Sequence, residues 1–160
     1  MNIQKIILFI TILLTGLYAG AAMYSLMGVG PAMKLMQPSS YVEFHQKLDF
    51  FMGVRMALFA KITLLVNVVL LIITIRRSAK PVIILTITAF LLFFGEIFLT
   101  VLVNVPLNEK IQLWNSNNLP IQWMEVRNKW VQYDTIRAIF AIASFLFYLI
   151  TFQYSNQKAK

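Results

Sequence analysis

The sequence predicts an all-α protein, a four-helix transmembrane bundle with a small cap of helix and loop on its outer side. Its 160 residues are 59% hydrophobic and only 12% charged, whereas soluble domains are about 45–50% apolar and about 25% charged. The apolar residues are concentrated in four runs. Two of the three segments between these runs are long, and both contain signals for the start of a helix. The length allows a single domain, residues 1–160.

The four apolar runs are the predicted membrane spans. A helix needs about 20 apolar residues to cross a hydrocarbon core of about 30 Å. The last run is the shortest and is extended by tyrosines suited to the membrane interface. The spans cover residues 6–29, 54–75, 82–103 and 135–153. Residues 30–53 and 104–134 then form the two outer segments.

The first span has a competing interpretation as a secretory signal peptide. Asn2 and Lys5 precede an apolar stretch, and the small residues at 19–21 are typical of a cleavage site. Against this, apolar residues continue beyond that site, and Gly16 with Gly20 forms a G-x-x-x-G pattern suited to helix packing. These features favour a retained helix.

Basic residues predict the orientation of the bundle. On one side they lie in three short segments without acids, namely Lys5, then Arg76, Arg77 and Lys80, then Lys158 and Lys160. On the other side they are diluted by acids along the two long segments. Because positive charge is retained in the cytoplasm, we expect both termini there, in a bacterial inner membrane protein. The net charge of +8 indicates contact with anionic lipid. The basic residues do not form a stripe of the kind that binds nucleic acid, so no nucleic acid partner is expected.

Reporter fusions should detect this orientation. We expect green fluorescent protein at the carboxy terminus to fluoresce and alkaline phosphatase there to be inactive, because both report a cytoplasmic position. The same reporters inserted after residue 117 provide the control and should give the opposite pattern. Active phosphatase at the carboxy terminus would show an inverted topology, and a mature amino terminus near Ala22 would show that the first span is a signal peptide.

Both outer segments are predicted to contain helix. Ser40 with Glu43 three residues later is typical of a capping box, which indicates one helix from about residue 41 to residue 75. Pro120 fits the first turn of a helix, which indicates another from about residue 121 to residue 154. Each helix would be far longer than the membrane requires. We therefore expect both to project into the outer cap.

Polar residues recur at every fourth position of the third helix, at Glu96, Thr100, Asn104 and Asn108. Residues four apart share a helix face, so Asn104 and Asn108 are predicted to bind substrate. The alternative is that they bond backbone groups freed around Pro106. That proline is expected to break the third helix, and Gly30-Pro31 is expected to end the first helix in the same way.

Lys61 and Glu96 are ionisable residues within predicted spans. The second and third spans form a hairpin that turns between Ser78 and Ala79, and Lys61 and Glu96 are equally far from that turn. Antiparallel packing therefore predicts an ion pair between them. The pair either fixes the register of two helices or, because charge within a membrane usually marks function, contributes Glu96 to a catalytic site.

Five residues of the fourth helix share one face because they are spaced by four, three, four and three positions: Trp123, Arg127, Trp130, Asp134 and Arg137. We expect this stripe to face inward and to bind substrate through the two tryptophans and Arg127. Asp134 is a possible base, and Arg137 can anchor an anion or pair with Asp134 or Glu96. The alternative is an aromatic belt that contacts lipid phosphates, although a belt would scatter around the helix.

His45 is the sole histidine of the sequence. Asp49 lies four residues later on the same helix face, so a carboxylate–imidazole pair can form. One histidine with one acid is a poor metal site. His45 is therefore predicted to act as a general base or proton relay, and otherwise is a polar residue of the cap.

Several enzyme and cofactor classes are excluded by what the sequence lacks. It has no Cys, which excludes disulfides, thiolate nucleophiles and a thiol–disulfide quinone reductase. One histidine excludes bis-histidine haem ligation within a single chain. Phosphate-binding, dinucleotide-binding, zinc-protease and nucleophile-elbow motifs are missing. No metal and no cofactor is predicted.

The segment Asn104-Val105-Pro106-Leu107-Asn108, followed by Trp114 and the fourth-helix stripe, resembles the anthrone-oxygenase-like family of four-span membrane proteins. The pattern carried over is N-x-P-x-N, then W and W-x-x-x-R-x-x-W, then N-x-x-R. Arg137 matches the last arginine, whereas Asp134 replaces the asparagine of that pattern. Gly28 to Pro31 also resembles the family after the first span.

This resemblance implies a small oxygenase that oxidises apolar aromatic substrates, of anthrone or quinol type, without a metal or flavin. An apolar substrate would enter a bundle pocket from the bilayer and lose a proton to His45, Asp134 or Glu96. Arginine would stabilise the resulting anion. The alternative is a protein without enzymatic activity that binds a lipid or small molecule, or an accessory subunit. The substrate and the oligomeric state stay open.

Overall fold

The computed structural model describes residues 3–157 and consists of four long helices. Their bounds are α1, Ile3–Leu35, then α2, Pro38–Arg77, then α3, Lys80–Gln112, and α4, Trp123–Gln157. All four are long and apolar enough to cross a membrane, and residues 3–157 contain no β-strand. The predicted fold class is confirmed. Asn2, Lys158 and Lys160, on which predictions above depend, lie outside the described residues.

Both prolines that were expected to end helices lie inside continuous ones. A π-helical turn, Ser25–Val29, precedes Pro31 in α1, and a second one, Thr100–Asn104, precedes Pro106 in α3. Proline removes a backbone N–H and clashes with the carbonyl four residues earlier. We attribute the uninterrupted helices to the wider π turns, which make room for the proline ring. The predicted breaks are wrong, because α1 and α3 continue into the cap.

The other two helices begin close to the predicted positions, with different first turns. α2 starts at Pro38, which takes the first-turn position, and Gln37 before it makes no side-chain capping bond. The Ser40 capping box is therefore wrong. α4 starts at Trp123, two residues after the predicted Ile121. At 1.5 Å per residue, the 40 residues of α2 measure about 60 Å, roughly twice the hydrocarbon thickness.

Each helix packs against two neighbours around a square, so that α1 contacts α2 and α4, and α3 contacts the same two. Gln4 Nε2 donates a hydrogen bond to Ser78 Oγ (2.6 Å), which places the start of α1 beside the turn between α2 and α3. We call this the basic end, because Lys5, Arg76, Arg77 and Lys80 lie there. The opposite end, with the links 36–37 and 113–122, is the cap end.

Two tyrosines cross the bundle along its diagonals. Tyr18 of α1 donates a hydrogen bond to Glu96 Oε1 of α3 (3.0 Å). Tyr148 of α4 donates one to Asn67 Oδ1 of α2. Tyr148 and Asn67 are 0% exposed, and Glu96 is 1% exposed. Because hydrocarbon offers no hydrogen-bond partners, these bonds satisfy buried polar groups and fix which helices face each other.

Glycine allows close packing at one of the two positions predicted in α1. A Cβ at Gly16 would lie 2.9 Å from Phe145 Cε2 of α4, so a larger residue would collide with that ring. Gly20 is exposed, and a Cβ there would have no neighbour within 4 Å. The predicted G-x-x-x-G face is therefore not formed, and Gly16 alone contacts the neighbouring helix.

Lys61 does not pair with Glu96, and that prediction is wrong. The inward face of α2 in this region carries Ala60, Thr63, Asn67, Leu70 and Thr74. Lys61 is exposed, because it is rotated by about 100° from Ala60 around the helix axis. Equal distance from the turn fixes depth in a hairpin, but it does not fix the direction in which a side chain points.

Candidate functional site

At the cap end, the four helices enclose an apolar core with seven buried members, Met33, Tyr41, Val42, Ile111, Val126, Trp130 and Val131. Gln46 connects α2 to the end of α3. Its Nε2 donates hydrogen bonds to the carbonyl oxygens of Ile111 (3.0 Å) and Trp114 (2.9 Å). Gln112 Nε2 donates in return to the Gln46 carbonyl oxygen (3.2 Å). These bonds fix the position of the neighbouring His45 relative to α3.

Asn108 links three other polar residues of the cap end. Its Oδ1 accepts a hydrogen bond from Trp130 Nε1 (2.6 Å) and lies 3.2 Å from His45 Nε2. Its Nδ2 donates to Asp49 Oδ1 (2.8 Å). The direct His45–Asp49 pair that the sequence allows is not the arrangement observed, because the Asn108 amide connects the two side chains.

The same contacts define the protonation of the His45 ring. The Trp130 indole can only donate and the Asp49 carboxylate can only accept, so the Asn108 amide has one possible orientation. Asn108 Oδ1 then faces His45 Nε2, which must carry the hydrogen. In neutral imidazole the other nitrogen, Nδ1, is then a lone-pair acceptor. It is buried and has no hydrogen-bond partner among the described residues.

Several buried polar atoms in the bundle have no hydrogen-bond partner among the described residues. Besides His45 Nδ1, the described residues include three others, which are Tyr41 Oη, Asn104 Oδ1 and Glu96 Oε2. Asn104 lies one helical turn before Asn108 on α3. Its Nδ2 donates to the Trp130 carbonyl oxygen (3.3 Å). Buried polar groups are usually paired in proteins. The three at the cap end, His45 Nδ1, Tyr41 Oη and Asn104 Oδ1, are therefore suited to a ligand that supplies the missing hydrogen bonds.

Glu96, Asp134 and Arg137 form a separate charged cluster deeper in the bundle. Arg137 Nη2 and Nε lie 2.9 and 3.1 Å from Glu96 Oε1, and Arg137 Nη1 lies 3.8 Å from Asp134 Oδ1. Ser25, in the π-helical turn of α1, donates to Asp134 Oδ2 (2.7 Å). Tyr18 and Thr100 also donate to Glu96 Oε1, each at 3.0 Å.

The charge of Arg137 is offset by this cluster. One guanidinium faces two carboxylates there, so the cluster has no positive charge in excess for an external anion. The contacts join α1, α3 and α4, and they favour a structural role. The catalytic roles predicted for Glu96, Asp134 and Arg137 stay predictions.

Arg127 has the opposite environment. It is 7% exposed, yet no acid among the described side chains lies within the 4.0 Å of an ion pair. Its guanidinium carbon lies 4.8 Å from the centre of a Trp123 ring, and its Nε lies 3.4 Å from Asn128 Oδ1. Arg127 is thus a buried cation stabilised by an aromatic ring and one weak hydrogen bond.

The stripe on α4 therefore divides into two parts. Trp123, Arg127 and Trp130 lie near His45 and Asn108 at the cap end, whereas Asp134 and Arg137 belong to the deeper cluster with Glu96. Sequence reasoning missed Tyr18, Ser25 and Tyr41. Tyr41 could have been found, because it lies four residues before His45 and therefore on the same helix face. The roles of Tyr18 and Ser25 depend on contacts between distant helices, for which the sequence holds no signal.

Within residues 3–157, no three His, Asp or Glu side chains are grouped as a metal site. A cavity of about 190 Å³ lies at the basic end instead, lined by residues that include Lys5, Leu70 and Ser155. It is at the opposite end of the bundle from His45. The candidate site at the cap end is thus defined by its unpaired buried atoms and not by this cavity.

Comparison with known proteins identifies a family to which the chain is similar. The model of the anthrone oxygenase family matches residues 48–147, which is more than half of the chain. The chain belongs to the anthrone oxygenase family. This confirms the resemblance stated above. No curated protein and no solved structure matches the chain.

The part of this anthrone oxygenase family member that matches runs from α2 through most of α4. It includes Asn104 and Asn108 of α3 and the whole stripe from Trp123 to Arg137. It begins three residues after His45. The contacts of His45 and Tyr41 are therefore features of this structure that the family match does not cover.

Proposed function

We propose that this protein is a membrane oxygenase that acts on an apolar aromatic substrate of anthrone or quinol type without a bound cofactor. The observation that carries the proposal is His45 Nδ1, a buried lone-pair nitrogen with no hydrogen-bond partner among residues 3–157. Membership of the anthrone oxygenase family supports the reaction class. In this proposal His45 is the base, and Asn108 holds its ring in the reactive tautomer.

The apolar surroundings of His45 suit an aromatic substrate. The His45 ring stands edge to face against Trp130, with ring centres 5.0 Å apart, and the Tyr41 ring centre lies 5.6 Å from it. A flat substrate that enters between the helices would contact these rings. Asn104 Oδ1, buried and unpaired, can accept a hydrogen bond from a substrate hydroxyl. An apolar substrate and O2 both dissolve in the hydrocarbon core, so both can reach the site from the membrane.

The reaction needs only a base and O2. In an anthrone, the CH2 group opposite the carbonyl gives a proton to His45 Nδ1, and its electron pair joins the ring system as the anthrolate anion. The anion transfers one electron to O2, and the carbon radical and superoxide combine. The histidine proton completes a hydroperoxide, which loses water to form the second carbonyl. One oxygen atom enters the quinone, the other leaves as water, and O2 is the oxidant.

Oxygen consumption tests the proposal directly. Purified protein in phosphatidylcholine nanodiscs should consume one O2 per 1,8-dihydroxyanthrone and form the matching anthraquinone. With 18O2, mass spectrometry should find one labelled oxygen atom per quinone. Empty nanodiscs provide the control, because anthrones also oxidise slowly without a protein. If uptake with the protein equals uptake in empty nanodiscs while the substrate binds, the protein is a binding protein and the proposed activity is wrong.

A further inference from the structure

We infer that Arg127 and Tyr41 form an anion site, and that the aromatic ligand of this protein carries an acidic oxygen group, such as a carboxylate, that binds there. This inference rests on the proposed function, because it assigns one end of the same ligand. Arg127 supplies the charge, and Tyr41 supplies a hydroxyl donor. Trp123 contacts both residues.

The first support is the missing counter-ion. Arg127 is 7% exposed as a residue, so its guanidinium keeps only limited contact with solvent, and a largely buried charge without an acidic partner is unfavourable. The Trp123 ring offsets only part of this cost. Glu43 and Glu125 are the acids nearest in sequence to Tyr41 and Arg127. Both are exposed, and neither forms an ion pair with Arg127. Arg127 is thus suited to an anion that the described part of the chain does not provide.

The second support is independent and comes from Tyr41. Its side chain is 0% exposed, and its hydroxyl has no hydrogen-bond partner among the described residues. A buried hydroxyl without a partner costs free energy that a ligand oxygen can recover. The Tyr41 ring centre is 6.1 Å from that of Trp123, and Arg127 lies over the same Trp123 side chain. Burial raises the pKa of the Tyr41 hydroxyl, and the positive charge of Arg127 offsets part of that rise.

The position of this anion site fits one end of an aromatic ligand whose other end reacts at His45. Ring-to-ring steps of 5.6 and 6.1 Å lead from His45 to Tyr41 and from Tyr41 to Trp123. A fused tricyclic molecule has a comparable length. Trp123 is only partly buried, so the acidic group can enter from that side.

A lipid phosphate offers similar chemistry, and the structure favours the aromatic ligand over it. A headgroup at the membrane surface could reach Arg127 beside the partly exposed Trp123. The Tyr41 hydroxyl lies within the apolar core of the cap end and is fully buried. A ligand must therefore enter that core to bind it, which a flat aromatic molecule can do and a headgroup held at the membrane surface by its acyl chains cannot. Use of Tyr41 therefore distinguishes the two kinds of ligand.

Equilibrium binding tests the inference without any need for turnover. The probes are anthraquinone-2-carboxylate and its neutral carboxamide, titrated into protein in phosphatidylcholine nanodiscs and followed by quenching of tryptophan fluorescence. The wild type should bind the carboxylate about tenfold or more tightly than the carboxamide, as expected for charge-assisted hydrogen bonds. Arg127→Gln should remove this preference. Tyr41→Phe should weaken carboxylate binding about tenfold and leave carboxamide binding unchanged.

Arg55→Gln is the matched control. Arg55 is also a basic residue of α2 toward the cap end, but it is exposed and donates to the Phe51 carbonyl oxygen. Its replacement removes the same charge and should leave the preference for the carboxylate intact. Stability gives a second readout. Because Arg127 has no acidic partner, Arg127→Gln should unfold at the same or a higher sodium dodecyl sulfate fraction than the wild type.

Equal binding of the two probes by the wild type would overturn the inference. So would a large loss of stability in Arg127→Gln, or a preference for the carboxylate that Tyr41→Phe leaves unchanged. Nanodiscs containing phosphatidylglycerol distinguish the lipid source. If this lipid weakens carboxylate binding by the wild type but not by Arg127→Gln, the site binds lipid phosphate and the assignment to an aromatic ligand is wrong. If the protein prefers the carboxylate but consumes no O2, the anion site is supported and the proposed oxygenase activity is wrong.

Discussion

Replacing His45 by Gln should lower the rate of anthrone oxidation by about 100-fold or more, the contribution expected of a positioned general base. The Gln side chain retains an N–H that can donate to Asn108 Oδ1, as His45 Nε2 does. It lacks the basic lone pair of Nδ1. Oxygen uptake by the variant in nanodiscs, corrected for empty nanodiscs, measures the effect. A variant that keeps more than a tenth of the wild-type rate would show that His45 is not the base.

Chemical rescue separates the base from a merely structural side chain. His45→Ala leaves a cavity beside Asn108 and Trp130 that free imidazole can enter. We expect added imidazole to restore part of the oxidation rate, in proportion to its concentration, and added pyrrole, which has no basic nitrogen, to restore none. Equal effects of the two compounds would indicate that filling the cavity matters and that proton transfer at this position does not.

The sequence predicted best what depends on periodicity and composition. Four apolar runs predicted four long helices, and these are present. The spacing of the α4 stripe placed Arg127, Trp130 and Asp134 on one face, and all three are at most 9% exposed. Such spacing fixes rotation around a helix axis, so one face can be recognised without knowledge of its neighbours.

The incorrect predictions share a dependence on geometry that periodicity does not contain. Lys61 and Glu96 were paired by depth alone, although rotation around α2 turns Lys61 outward. Pro106 was expected to break its helix, because the sequence gives no direct signal for a π-helical turn. These errors concern single turns and single side chains, and they leave the four-helix class unaffected.

The relation between Arg127 and Arg137 could not be read from one helix. Both lie on the same stripe, and the sequence predicts that Arg137 anchors an anion or pairs with Asp134 or Glu96. Which of the two has a counter-ion depends on Glu96 of α3, which lies 41 positions from Arg137 in the chain. The observed contacts pair Arg137 with Glu96 and leave Arg127 without an acid among the described residues. They therefore favour Arg127 as the residue that binds an anion and Arg137 as the residue of the ion pair.

Replacing Arg137 by Leu should lower the free energy of unfolding by about 3–5 kcal/mol, the range for a buried ion pair that loses one partner. The Glu96 carboxylate, 1% exposed, would be left with a buried charge and no counter-ion. The double variant Arg137→Leu with Glu96→Leu should recover part of the loss, because the buried Glu96 charge is then removed as well, while Asp134 keeps its hydrogen bond from Ser25. Unfolding by sodium dodecyl sulfate in mixed micelles, followed by near-ultraviolet circular dichroism, measures both.

Lys61→Leu is the control for this series because it makes the same change in charge on an exposed position of α2. It should alter stability by no more than about 0.5 kcal/mol, since Glu96 keeps its bonds to Arg137 and Tyr18. A loss as large as that of Arg137→Leu would mean that Lys61 pairs with Glu96 after all. The double variant also separates structure from catalysis, because its folded fraction should oxidise anthrone within about tenfold of the wild-type rate. If it is folded but inactive, Glu96 or Arg137 takes part in the reaction itself.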